Sequence, residues 1–208
     1  MMLVKLIQEK TKNRVSISLD NGLSFVLYKG ELRTYKIKEG QEIDIKSYDE
    51  IMTNILPKRA KLRAMNLLKV RPYTEKGLYD KLKDGGYPEE IINVAMDYVK
   101  SYHYIDDASY AREYIYTYKD RKNKSKLSAD LFRKGISKII IDAALESELS
   151  ECGNDYEILQ IKNILNKKHY DPENTSYEDK MKLLAGLYRK GYSVDLSKKL
   201  LDITSDYR

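Results

Sequence analysis

Residues 78–87, LYDKLKDGGY, decide the fold, because their pattern returns at 127–136 as LSADLFRKGI and at 183–192 as LLAGLYRKGY. Each copy has two leucines four residues apart, a glycine four residues further on, and then a hydrophobic residue. Leucines at this spacing share one helix face, and a glycine just beyond them favours the left-handed conformation in which helices end. The pattern therefore predicts a Schellman-type helix end in each copy. The turn glycines are Gly86, Gly135 and Gly191.

A second helix is predicted directly after each glycine. Ser137 and Ser193 stand where an N-cap is wanted, and Pro88 holds the same place in the first copy. The distance between successive glycines leaves room for one further helix per copy, and upstream stretches with apolar residues at helical spacing supply it. The sequence thus predicts a mainly α fold of three tandem three-helix repeats, which bury apolar faces against one another in a curved, elongated array.

The amino-terminal region differs from the repeats. Apolar and polar residues alternate over 15–19, the Asn-Gly dipeptide at 21–22 favours a type I′ turn, and 23–28 is rich in strand formers. A third strand is expected near 32–37. Because a lone hairpin is marginal in water, this β-hairpin or three-stranded β element is expected to pack on the helices or to gain a third strand.

These patterns divide the chain into a β-rich extension, a linker helix with the first repeat, and two further repeats. Ser47 is the predicted cap of the linker helix, and Pro57 opens the first repeat helix. The polar segment 169–179 is the expected long loop. The predicted parts are 1–46, 47–105, 106–152 and 153–208.

Basic residues outnumber acidic ones by 38 to 32, so the formal net charge is +6, which favours an acidic partner. The charges are unevenly distributed, since 51–74 contains no acid and 119–126 contains only Asp120. We expect these two basic runs to contact a polyanion such as nucleic acid. The candidate contact residues are Lys58, Arg59, Lys61, Arg63, Lys69, Arg71, Lys119, Arg121, Lys122, Lys124 and Lys126.

Several protein classes are disfavoured by composition. The single cysteine, Cys152, excludes an intramolecular disulfide and a cysteine-based zinc site. No stretch approaches the roughly 20 apolar residues of a membrane span, so a cytoplasmic protein is expected. With two histidines and no phosphate-binding glycine loop or recognisable acid–base constellation, we expect no catalytic residues, metal or cofactor, and therefore no enzyme.

Two features have more than one interpretation. Asp106 and Asp107 could hold Mg²⁺, although a helix must begin just after them, which favours helix capping. Tyr110, Tyr114 and Tyr118 recur every four residues and could form a stacking platform for bases. At helical spacing such a stripe is more often packing, and we favour that interpretation.

Three stretches resemble the RecX family of recombination regulators, over about residues 57–208. Gly77 stands where that family usually has an acidic residue, and His103 where it usually has glycine. Inside a helix, Gly77 should cost up to about 1 kcal/mol of stability. The stretches that carry the resemblance are 71–87, 102–111 and 131–137.

The resemblance implies a regulator that binds the RecA recombinase filament on single-stranded DNA. Family members dampen the strand-exchange, ATPase and coprotease activities of RecA by lying in the groove of the filament. The implied partners are RecA and, weakly and with strong salt dependence, single-stranded DNA, with the protein itself expected to be a monomer. Two other classes stay open, a generic helical-repeat adaptor for nucleic acids and a protein-interaction scaffold.

Overall fold

The computed structural model describes residues 2–150 and 155–203. They form two compact units, Met1–Asp106 and Asp107–Arg208. A small antiparallel sheet precedes three consecutive three-helix repeats, which confirms the mainly α fold class. Cys152 and the predicted boundary after it lie outside the described residues.

The first unit contains the sheet, a linker and the first repeat. Its elements are β1 (Met2–Thr11), β2 (Arg14–Leu19), β3 (Ser24–Tyr28), α1 (Lys29–Thr34), β4 (Glu42–Ile43), α2 (Ile45–Glu50), a π-helical turn (Ile51–Ile55), α3 (Leu56–Val70), α4 (Glu75–Asp84) and α5 (Glu89–Ser101). The strand order is β3-β2-β1-β4, and all neighbouring pairs are antiparallel.

The predicted hairpin is present as β2 and β3, but its turn is not type I′. That turn needs two residues with positive φ, and only Gly22, at φ +84°, lies there between Leu19 and Leu23. The amide of Gly22 donates to the carbonyl of Leu19 (3.2 Å), and that of Leu19 donates to the carbonyl of Leu23 (2.9 Å). These bonds close a three-residue loop with glycine at its left-handed position.

The prediction of a third strand near 32–37 is wrong, because Lys29–Thr34 is helical. Glu31 accepts a bond from the Tyr28 amide (2.8 Å), and this local cap favours a helix directly after β3. The sheet gains its further strands from β1 and β4 instead. Sequence patterning missed β1 because Val4 is its only fully buried residue, so the strand shows no clear alternation.

The linker helix begins three residues earlier than predicted. Asp44 is its N-cap and accepts a bond from the Ser47 amide (3.1 Å), so Ser47 lies in the first turn and is not the cap. The helix runs on through the π-helical turn into α3, near whose start Pro57 stands as expected.

One hydrophobic core joins the sheet to the first repeat. The apolar face of β2 and β3 packs with the buried faces of α3, α4 and α5. Its fully buried members include Ile17, Phe25, Leu56, Leu78 and Ile92. The sheet therefore covers the first repeat and also contains more than two strands, so the structure has both of the features that were expected as alternatives for a marginal hairpin.

The second unit contains the other two repeats, each with its own hydrophobic core. The second repeat comprises α6 (Asp107–Tyr118), α7 (Lys124–Arg133) and α8 (Lys138–Leu149). The third comprises α9 (Asp155–Lys167), α10 (Tyr177–Arg189) and α11 (Val194–Leu200). The predicted long loop ends earlier than expected, because Ser176 caps α10 by accepting a bond from the Asp179 amide (3.2 Å).

The three glycine turns share one geometry. Gly86, Gly135 and Gly191 lie at φ +82°, +88° and +87°. In each turn the amide of the residue after the glycine donates to the carbonyl of the second leucine, at 3.5, 3.2 and 3.2 Å in chain order. The glycine amide donates to the carbonyl of the residue that follows this leucine. This is the Schellman hydrogen-bond pattern.

Gly77 is less central to its helix than the sequence suggested. It occupies the first turn of α4, where its amide donates to the hydroxyl of the N-cap Thr74 (3.0 Å). An added Cβ would lie 3.0 Å from the same hydroxyl oxygen. The local contact therefore opposes the helix-propensity gain of an alanine there.

Candidate nucleic-acid interface

The first basic run forms the outer face of α3 and the residue that ends it. Lys58, Arg63 and Lys69 are exposed on the helix, and Arg71 is exposed at its C-cap. Because 51–74 contains no acid, every charged side chain of α3 is positive. Such a face attracts phosphate over several ångströms.

Arg59 and Lys61 face the rest of the first unit instead. Arg59 forms an ion pair with Glu31, and its guanidinium lies 4.6 Å from the centre of the Tyr28 ring. Lys61 stands over the ring of Tyr98, at 5.1 Å. These contacts make Arg59 a link between α3 and the end of the sheet, and a less available ligand for DNA than its exposed neighbours.

The second run lies on the α6–α7 loop and the start of α7. Lys119, half-buried, stands over the ring of Tyr116 (5.1 Å), while Arg121, Lys124 and Lys126 are exposed. Positive charge at a helix N-terminus opposes the helix dipole. Lys124 and Lys126, in the first turn of α7, thus weaken their own helix locally, which favours an anion-binding role for them.

Lys122 is engaged within the second repeat. Its ammonium donates to Asp130 (2.8 Å) and to the Tyr114 hydroxyl (2.6 Å), and lies 4.3 Å from the centre of the Tyr118 ring. The bond to Asp130, followed by that to Tyr114, raises the pKa of Lys122. The same bond from Lys122 lowers the pKa of Asp130.

The tyrosine stripe on α6 takes part in packing. Tyr110, Tyr114 and Tyr118 are half-buried against the core of the second repeat, and the rings of Tyr114 and Tyr118 lie 4.5 Å apart. Lys134 stands 5.6 Å from the centre of the Tyr110 ring. The packing interpretation therefore fits these rings better than a platform for bases.

A polar seam holds the α6–α7 loop against the third repeat. Buried Gln160, on α9, donates to the carbonyls of Lys119 and Lys122 (3.1 Å for the latter) and accepts from the Tyr192 hydroxyl (3.1 Å). Buried Asn123, the N-cap of α7, donates to the carbonyl of Lys190. Side chains of α9 and of the loop itself therefore tie the loop with the second basic run to the third repeat.

Two cations of the third repeat were not among the contact residues predicted from the sequence. Lys167 ends α9 and Lys190 is the C-cap of α10, and both line a cavity with Arg121 and Lys126. A cation at the end of a helix is explained by the helix dipole alone, so nothing in the sequence singled these lysines out. Only the packing of two repeats brings them together.

The described residues offer neither a metal-ligating cluster nor a membrane-spanning helix. Asp106 directly precedes the first residue of α6 and Asp107 is that residue, as helix capping requires. No cluster of three or more metal-ligating side chains occurs in 2–150 and 155–203. Over those same residues, no helix has the length and apolar character needed to cross a bilayer.

Two regions of the chain match models of the RecX family. Residues 60–98 match the first three-helix domain of RecX, and residues 106–145 match the second. Regulatory protein RecX of Clostridium perfringens (strain 13) is 31% identical over 195 residues, which cover 91% of this chain and 89% of that protein. Regulatory protein RecX of Caldanaerobacter subterraneus subsp. tengcongensis is 28% identical over 205 residues, covering 98% and 100%.

Solved structures share the fold. A crystal structure of regulatory protein RecX superposes with a TM-score of 0.64 at 24% identity, and covers 98% of this chain and 100% of that one. A crystal structure of RecX from Lactobacillus salivarius gives a TM-score of 0.60 at 23% identity, over 72% of this chain and 98% of that one.

Proposed function

The chain belongs to the RecX family of regulatory proteins, and on that premise we propose that it inhibits the RecA recombinase. It binds RecA filaments on single-stranded DNA and dampens strand exchange, ATPase and coprotease activity, without turnover of its own. The observation that carries the proposal is the extent of the likeness, which covers 91% of the chain at 31% identity. A second relative, 28% identical, covers 98% of the chain, so the likeness spans the sheet as well as the repeats.

The repeats support a filament as the partner. A filament presents the same surface many times, and a protein made of repeats can place several weak contacts on it at once. Linked weak contacts raise the overall affinity without any single tight site. Inhibition is therefore expected below one chain per RecA subunit.

The exposed basic face of α3 supports a contact with the DNA or with acidic filament surface. Lys58, Arg63 and Lys69 carry three positive charges with no acid between them. Arg59 and Lys122 are less available for this role than their exposed neighbours, because they form ion pairs with Glu31 and Asp130.

The test is RecA ATPase and strand exchange on single-stranded DNA, titrated with the wild type and a triple variant, Lys58→Gln, Arg63→Gln and Lys69→Gln. The charge-matched control replaces three exposed lysines of the sheet region by glutamine, Lys5, Lys10 and Lys12. Wild type and control should inhibit, and the triple variant should need a higher concentration for the same inhibition. Thermal melts of all three proteins should coincide, because exposed substitutions change stability by less than about 0.5 kcal/mol.

The adaptor class is the second candidate, since the basic runs alone would serve it. It predicts binding of nucleic acid that is unchanged by RecA. A wild-type protein that left both RecA activities untouched at equimolar concentration, yet bound DNA or RNA tightly, would require the adaptor function instead.

A further inference from the structure

A cationic cleft lies within the second unit, between the second and third repeats. It has a volume of about 580 Å³ and is bordered by the α6–α7 loop, the start of α7, and the carboxyl ends of α9 and α10. Among the described residues that line it, Asp120 is the only acid. The cations that line it besides Lys122 are Arg121, Lys126, Lys167 and Lys190.

None of these four cations belongs to an ion pair in the described part of the second unit. The ion pairs found there involve Lys122, Arg133 and Lys182 instead. Four like charges around one cavity repel each other, and a bound polyanion would remove that repulsion. The cleft therefore has the electrostatics of an anion site.

The floor of the cleft is fixed before any ligand arrives. Gln160 and Asn123, both about 5% exposed, tie the α6–α7 loop to the third repeat through the carbonyls of Lys119, Lys122 and Lys190. A ligand then meets cations on an ordered backbone, and the entropy cost of binding falls.

The positive tract extends beyond this cleft. A second cavity, of about 870 Å³, shares Ile164 and Lys190 with the first. It is also lined by Lys168 and Arg189, and by Asp179, whose charge is paired with that of Lys182. A tract that passes from one cavity to the next is longer than one small anion requires and suits a chain of phosphates.

We propose that the cleft binds the phosphate backbone of single-stranded DNA, with Lys167 and Lys190 as contact residues that join Arg121 and Lys126. This inference rests on the proposed function only for the choice of single-stranded DNA among polyanions. The DNA lies along the boundary between the second and third repeats, so both repeats are needed for its binding.

The test compares two doubly substituted full-length chains with equal net charge. One is Lys167→Gln with Lys190→Gln, in the cleft. The control is Lys162→Gln with Lys199→Gln, two exposed lysines on α9 and α11 that line neither cavity. Binding of a fluorescein-labelled oligothymidylate is measured by anisotropy over a series of salt concentrations.

The cleft variant should flatten the slope of log affinity against log salt by about 0.7 for each of its two lost contacts, while the control keeps the wild-type slope. Circular dichroism melts should show both variants folded. Equal slopes in the two variants would overturn the inference. If both slopes fell, total charge would account for binding, and if neither fell, Lys167 and Lys190 would not contact the DNA.

Competition identifies the occupant. Unlabelled oligothymidylate should displace the probe at a far lower concentration of negative charge than ATP or polyglutamate. Displacement by ATP or polyglutamate at the same charge concentration would overturn the assignment to DNA. The proposed function is tested separately by the RecA ATPase assay. It fails if the wild-type protein leaves that activity unchanged.

Discussion

The first and third repeats end their central helices in the same way but against different neighbours. In the first repeat the C-cap carbonyl of Gly85 accepts a bond from Arg14 of the sheet (2.5 Å). In the third repeat the matching carbonyl of Lys190 accepts a bond from Asn123 of the second repeat. The sheet thus supplies to the first repeat the donor that a preceding repeat supplies to the third.

The turn glycines also have different neighbours in the two repeats. A Cβ on Gly86 would lie 2.3 Å from Val26 Cγ2 of β3, and one on Gly191 would lie 2.8 Å from Ser125 Cβ of α7. One turn is therefore pressed against an apolar strand and the other against a polar helix start.

This comparison assigns a role to the N-terminal sheet. Terminal units of repeat proteins need a cap, because one of their faces has no neighbouring repeat to cover it. Here the sheet shares one core with the first repeat, and it supplies the hydrogen-bond donor for the turn as well. We infer that the sheet is the cap of the first repeat.

The largest effect is expected for Gly86→Ala, which should lower the free energy of unfolding by about 3 kcal/mol. A left-handed conformation costs a non-glycine residue about 1–2 kcal/mol, and crowding a packed site adds about 1–3 kcal/mol. Urea denaturation followed by circular dichroism measures the loss.

A double-mutant cycle with Val26→Ala checks the cause of that loss. Removing the Cγ methyls of Val26 relieves the 2.3 Å contact, so the double variant should be more stable than the sum of the single changes requires. Strict additivity would show that the strand does not press on the turn.

Gly191→Ala should be milder, with a loss of about 2 kcal/mol, because the left-handed penalty of about 1–2 kcal/mol is the same but the close contact is longer. The measurement is the same denaturation series. A loss as large as that of Gly86→Ala would mean that the nature of the neighbour does not matter.

Gly135→Val should also destabilise by well over about 1 kcal/mol, since a β-branched residue is an outlier at positive φ.

Asp130→Asn should destabilise the second unit at neutral pH by about 1.5 kcal/mol, a typical value for bonds to charged groups. The folded-state pKa of Asp130 is lowered, first by the bond from Lys122. Its contribution is therefore present above the ordinary aspartate pKa and disappears as pH falls through the lower folded value. Melting temperatures of the wild type and variant should converge in acid, and a constant difference down to the lowest pH would contradict this.

The smallest effect is a gain of up to about 1 kcal/mol for Gly186→Ala, the helix-propensity difference between the two residues. Gly186 lies inside α10, two residues before the exposed Tyr188, and a Cβ there meets no atom within 4 Å. It is thus the matched control for Gly191, which follows the C-cap of the same helix. Destabilisation by Gly186→Ala in the same urea series would show that alanine is harmful in α10 for reasons unrelated to the turn.

The repeats were predictable because their signals are local. Leucine spacing, a glycine and a cap occupy about ten consecutive residues, and each of these has its own physical preference. The strand β1 was missed because Val4 alone is fully buried on it. Its pairing with β2 is a local hairpin that starts with Thr11 opposite Arg14, but the connecting Lys12-Asn13 is not one of the dipeptides that favour a two-residue turn.

The candidate interface was predictable only in part. Charge runs identified the exposed lysines of α3 and α7, but not that Arg59 and Lys122 are committed to Glu31 and Asp130. Lys167 was missed because a charge at a helix end has a sufficient local explanation. Which cations converge is decided by tertiary packing, and no single segment carries that information.

The bond from Arg14 to Gly85 also bears on how the protein is made. Donor and acceptor are 71 residues apart, and those of the third repeat, Asn123 and Lys190, are 67 apart. In both pairs the donor comes first, and chains leave the ribosome amino end first. When either turn is synthesised, the side chain that donates to it has therefore already left the ribosome. This order allows the contacts to form while translation continues.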